Sequence, residues 1–189
     1  MRNSCLTVLF LVGFLACSAA AKDTVAIGEA VPNFQLLDQS GKDVALTDFR
    51  GKGVILSFLY TRCPYPDKCA MIGKKLNGLA ELSKKIGKSE ELQVLAITLD
   101  PLHDRPQVLK AYARGFDKKY SNWSFLTGKE SEIARVAAAF GVVYWEENGV
   151  IEHNMRTAFI DRDGKLRFLK SGSDWKPGEF AAEIKRYLR

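Results

Sequence analysis

Two short stretches of the chain are almost wholly apolar: VILSFLY, from Val54 to Tyr60, and LQVLAITL, from Leu92 to Leu99. Runs of this length without polar alternation predict central strands covered on both faces. From Cys69 onward the spacing becomes helical, with Ile72, Leu76, Leu79 and Ile86 on one side and lysines opposite. Strand, helix, strand in this order predicts parallel pairing through a right-handed crossover. Ahead of the first run, NFQLLDQSGKDVAL reads as two short strands around a turn at Ser40-Gly41. Behind the second, DPLHDRP leads into a helix with Pro106 in its first turn and Val108, Leu109, Tyr112 and Phe116 inward. WSFLTG is a further short strand. SEIARVAAAFG is a helix that buries Ile133, Val136, Ala137 and Phe140 and stops at Gly141. VVYWEENGVIEHN turns at Asn148-Gly149, and RTAFI and KLRFL pair across DRDG. A last helix opens near Pro177 and buries Phe180, Ile184, Tyr187 and Leu188.

This succession predicts a single α/β domain of thioredoxin-like architecture. A central mixed β-sheet is flanked by helices, with an N-terminal β-hairpin, a βαβ half, a C-terminal hairpin and a closing helix. The composition, 47% hydrophobic and 26% charged over 189 residues, suits one such domain. The amino terminus stands apart from it. MRNS carries a positive charge, CLTVLFLVGFLAC is an unbroken apolar run, and SAAAKD supplies small residues. That layout predicts a signal peptide over 1–21, cleaved after Ala21, and a folded domain over 22–189. Lipid attachment at Cys17 and an uncleaved anchor are the other two readings. All three place the domain outside the cytoplasm, in the periplasm or on the outer face of the cytoplasmic membrane.

The net charge is +6, and removing the leader takes away only Arg2. The lysines are scattered over presumed helix surfaces, which reads as a solvated basic face. The chain carries no recognisable nucleic-acid module. DRDG lacks the spaced oxygen ligands of a calcium loop and reads as a hairpin turn.

With Cys5 and Cys17 in the leader, the domain keeps two cysteines, Cys63 and Cys69. They flank a loop, PYPDK, pinned by Pro64 and Pro66, at the carboxyl end of the first buried strand. Loops at that end are a favoured place for sites in open α/β sheets. A disulfide closing so short a loop restrains the unfolded chain little, so reversible chemistry at the two sulfurs is the stronger expectation. The helix that begins at Cys69 should favour thiolate through its dipole. A peroxiredoxin would carry threonine three residues before its cysteine, where this chain has Tyr60.

Of the two histidines, His103 lies in a polar loop and is expected in solvent. His153 precedes the strand RTAFI. In a thioredoxin-like fold that loop faces the active-site cysteines and carries a proline in the cis form. No proline occurs between Pro106 and Pro177, so His153 is the expected partner of Cys63 and Cys69. Asp100, at the end of the neighbouring strand, is a candidate supporting group. Trp123, Trp145 and Trp175 read as packing residues, with Trp145 near enough to His153 in sequence to flank the site.

Five segments in order, FLYTRCPYPDKC, ITLDPLHDRPQVLKAYA, WSFLTG, AFGVVY and EHNMRTAFIDRDGKLR, resemble the Sco/SenC family of exported copper-handling proteins. The resemblance runs from about Val31 to the C-terminus. It implies that Cys63, Cys69 and His153 bind copper. It also implies that the protein serves assembly of the dinuclear copper centre of cytochrome c oxidase, or acts as a thiol-disulfide reductant for it. The family pair is usually three residues apart; here five intervene.

The donor chemistry agrees with that reading. Two thiolates and an imidazole form a soft set that suits Cu(I), and Cu(II) with added oxygen donors, whereas structural zinc wants four protein ligands. The alternative is a thiol-disulfide oxidoreductase of the cell envelope. Cys63 would then attack and Cys69 resolve the mixed disulfide. A third reading is a non-catalytic thioredoxin-like module with a structural disulfide.

Overall fold

A computed structural model of the chain describes residues 24–116 and 122–188. The leader and Cys17 lie outside the described residues. Among the described residues, nine strands and four α-helices follow one another. β1 (Gln35–Asp38) and β2 (Asp43–Ala45) form the N-terminal hairpin, and β3 (Gly53–Leu59) is the first central strand. α1 (Cys69–Lys85), β4 (Leu92–Thr98), α2 (Pro106–Ala113), β5 (Trp123–Thr127) and α3 (Glu130–Ala139) follow. The C-terminal part holds β6 (Tyr144–Glu147), β7 (Val150–His153), β8 (Arg156–Ile160), β9 (Leu166–Ser171) and α4 (Pro177–Ile184).

Seven strands make one mixed sheet in the order β2-β1-β5-β4-β3-β8-β9. β3, β4 and β5 run parallel, and β1 and β8 join them antiparallel. Every residue of β3 and β4 is buried, as the absence of polar alternation requires. Successive side chains on β3 feed opposite faces. Val54, Leu56 and Phe58 join a core closed by Ile133, Val136 and Phe140 of the α3 region. Ile55 and Leu59 join a core closed by Ile72 and Leu76 of α1, Leu109 of α2 and Phe180 of α4.

β6 and β7 form a separate two-stranded ribbon. Its turn places both Asn148 (φ 53°) and Gly149 (φ 78°) in the left-handed region. That backbone suits a tight hairpin, and asparagine followed by glycine tolerates it best. Register pairs Tyr144 with His153 and Trp145 with Glu152.

Three expectations from hydrophobic spacing are corrected. Ile86 is not on the buried face of α1: the helix ends at Lys85 and Ile86 is 41% exposed just beyond it. Phe116 lies past the end of α2 at Ala113, yet it packs on the same core, edge-on to Trp123. It reaches α1 because Gly73 has no side chain; a Cβ there would stand 2.7 Å from the Phe116 ring. Trp123 and Trp175 are packed as expected, but Trp145 is 53% exposed on the ribbon.

Candidate metal centre

Cys63 and Cys69 are free thiols near the carboxyl end of β3, Cys63 half-buried and Cys69 only 2% exposed. The backbone turns immediately after β3, where the Cys63 N–H donates to the Tyr60 carbonyl at 3.4 Å. Each residue between Tyr60 and Cys63 is anchored from the loop after β4. Asp104, wholly buried, accepts from the Thr61 N–H at 3.0 Å and from the Thr61 hydroxyl. It also accepts from the Thr98 hydroxyl at 2.5 Å. Asp100 accepts from Arg62 Nε at 3.0 Å and Nη2 at 2.7 Å. Asp100, the candidate supporting group, thus contacts Arg62, the neighbour of Cys63. Asp104 was not singled out from the sequence. In DPLHDRP it is one acid among several polar residues, and only the tertiary fold buries it.

The middle of the cysteine loop is tied to the ribbon instead. Tyr65 Oη donates to Glu152 Oε1 at 2.6 Å, and Lys68 Nζ to Glu152 Oε2 at 3.0 Å. The Lys68 ammonium also sits over the Tyr65 ring, 4.1 Å from its centre. These donors hold the Glu152 carboxyl below its ordinary value, Tyr65 first and Lys68 next. Neither Tyr65, Lys68 nor Glu152 carries a sequence signal, because the partners are far apart in the chain. Both loop residues lie among the five residues between the cysteines.

Glu152 precedes His153, which is 8% exposed. Its Nδ1 stands 2.9 Å from the Asn154 carbonyl oxygen. A carbonyl only accepts, so Nδ1 carries the proton and Nε2 keeps its lone pair. Asn154 is itself fixed, its amide bonding the Gly141 carbonyl and the Val143 N–H at 2.9 Å each. Nε2 faces Cys69 Sγ at 3.6 Å, where the thiol donates to the lone pair. The sequence expectation that His153 partners the cysteines therefore holds for Cys69 directly. His103 is exposed, as expected.

Burial overrides the helix dipole at Cys69. The residue opens α1, yet desolvation first, then the neighbouring Cys63 sulfur, pushes its thiol well above the usual range. The expectation of a thiolate favoured by the helix start is corrected: burial outweighs the dipole and favours the thiol form of Cys69. Burial likewise lowers His153 and keeps its imidazole neutral. Among the described residues no three His, Cys, Asp or Glu side chains already surround a common point. Cys69 and His153 are a ready pair, with Cys63 beside them in the same apolar cluster.

A thioredoxin-like domain with two reduced cysteines after its first central strand, and an imidazole presented to one of them, defines a class of thiol- and metal-handling proteins. The chain belongs to the SCO1/SenC family, whose model matches residues 22–189. It is 33% identical over 151 residues to an SCO2-like protein of Rickettsia typhi, spanning 76% of this chain and 70% of that one. Among solved structures, the copper-bound ScoI of Bradyrhizobium japonicum is 30% identical with a TM-score of 0.67, covering 86% of this chain and 99% of that one. A SCO1/SenC family lipoprotein from Bacillus anthracis is 26% identical with a TM-score of 0.78, covering 86% and 96%.

Proposed function

We propose that this protein is an exported copper carrier that serves assembly of the dinuclear copper centre of cytochrome c oxidase. Cys63, Cys69 and His153 hold the metal as Cu(I), handed to a copper-accepting oxidase subunit. The observation that carries the reading is the Cys69–His153 pair, with Nε2 3.6 Å from Sγ and its tautomer set for donation by the Asn154 carbonyl. Family membership and a copper-bound relative support it.

Cu(I) favours few, soft donors, and two thiolates with a neutral imidazole supply them. Binding Cu(I) would release both thiol protons to solvent, that of Cys69 from between sulfur and nitrogen, and the Cys63 sulfur would complete the set. A disulfide has no thiolate to offer, so loading requires the reduced pair. Hand-over proceeds by ligand exchange, an incoming soft donor replacing one of the three. The signal-peptide pattern read in residues 1–21 supports export, with lipid attachment at Cys17 as the alternative anchorage.

The test is titration of Cu(I) into reduced protein against a competing chelator, for wild type, Cys63→Ser, Cys69→Ser and His153→Ala. One-to-one binding lost or severely weakened in all three variants is expected. An unchanged affinity in His153→Ala would refute the ligand set. The unequal exposure of the two sulfurs favours a second reading, a thiol-disulfide oxidoreductase in which Cys63 attacks and Cys69 resolves. Reduction of a protein disulfide by a wild-type protein without copper affinity would establish that reading instead.

A further inference from the structure

One polar atom beside the metal centre makes no well-formed hydrogen bond. Tyr60 is 2% exposed, and its hydroxyl oxygen is buried without a hydrogen bond of ordinary geometry, its polar neighbours being the Cys63 side chain and the Ile151 backbone. Leaving such a group poorly paired is destabilising, and phenylalanine would fill nearly the same space without that cost. The residue directly follows β3 and stands three positions before Cys63. Its ring meets the His153 imidazole edge-on, 6.2 Å between centres. The hydroxyl faces the Cys63 side chain. A phenol is an O–H donor at neutral pH.

We propose that the Tyr60 hydroxyl donates a hydrogen bond to the Cys63 sulfur once that sulfur binds metal as a thiolate, making Tyr60 a positioning and tuning residue of the centre. A thiol is a weak acceptor, whereas a thiolate draws a strong, charge-assisted bond. Cys69 is served by His153 on its other side, which leaves the hydroxyl to Cys63. The bond holds Cys63 turned inward and withdraws electron density from the sulfur, as hydrogen bonds around metal-bound cysteine do. The poorly paired hydroxyl of the metal-free state is thus kept for the loaded one. The inference rests on the copper reading above.

Tyr60→Phe tests it against wild type in three measurements. The metal-free variant should melt at the wild-type temperature or higher, because it loses only a poorly paired hydroxyl. Its Cu(I) affinity, by chelator competition, should fall about 10- to 100-fold. The ultraviolet absorption of its copper–thiolate bond should move to longer wavelength, since the sulfur becomes a stronger donor. A metal-free variant that melts lower would show the hydroxyl already bonded within the fold and overturn the proposal, as would an unchanged copper affinity. A wild-type protein that takes up no Cu(I) would instead sink the copper reading, and this proposal with it, before any variant is compared.

Discussion

Asp104 shows how much one side chain can organise here. Its carboxylate has no solvent contact, yet it is satisfied by Thr98, by the Thr61 backbone and by the Thr61 hydroxyl. It thereby ties the end of β4 to the turn that delivers Cys63. Asp104→Ala removes the acceptor and strands those donors, so a loss on the order of 3 kcal/mol is expected. The urea midpoint should fall with an unchanged slope. The two cysteines differ as sharply. Cys63 is half-buried, whereas Cys69 is 2% exposed and its thiol is pushed up by burial. Alkylation with iodoacetamide, followed by mass spectrometry of the metal-free protein, should label Cys63 at least about tenfold faster. Equal rates would contradict the burial of Cys69.

At the scale of elements, Glu152 joins two that share no ladder: the cysteine loop, through Tyr65 and Lys68, and β7, which carries His153. Partly exposed ion pairs contribute little to global stability, about 0–1 kcal/mol. Glu152→Gln should therefore barely change the melting temperature while loosening the loop. Limited trypsin digestion should cut after Lys68 faster in the variant, and Cu(I) affinity should fall. Cleavage at the wild-type rate would mean that Pro64 and Pro66 hold the loop unaided. The elements themselves were largely legible. The aliphatic runs of β3 and β4, Pro106 and Pro177 at helix starts, and Asn148-Gly149 each act locally, so local sequence reports them. What lay hidden depends on distant partners. Phe116 packs past the end of its helix because Gly73 makes room, and Ile86 escapes the core because α1 stops one residue earlier. Glu152 looked like any surface acid.

Across the whole molecule, protonation is linked to folding through His153. Burial holds the imidazole below its unfolded value of about 6.5, so the unfolded chain binds the proton first as pH falls. The stability this provides is complete above about 6.5 and declines as pH drops towards and through the lower native value. Urea midpoints of the metal-free wild type should fall on acidification over that window, and His153→Gln should give a flatter profile; parallel profiles would refute the linkage. The meeting of Cys69 with His153 was legible at this scale as well. Two cysteines after a buried strand and one histidine ahead of another, in a fold whose topology brings those ends together, left few arrangements. The tautomer of His153 and the state of Cys69 were not, since both depend on burial that only the packed structure reveals.

The ribbon that carries His153 shares no ladder with the seven-stranded sheet, while Cys69 is built into the helix packed on that sheet. The imidazole thus belongs to the ribbon and the sulfur to the frame. Separating the two would break the Glu152 contacts and the packing of Tyr144 and Ile151 on the core, but would unpair no strand of the central sheet.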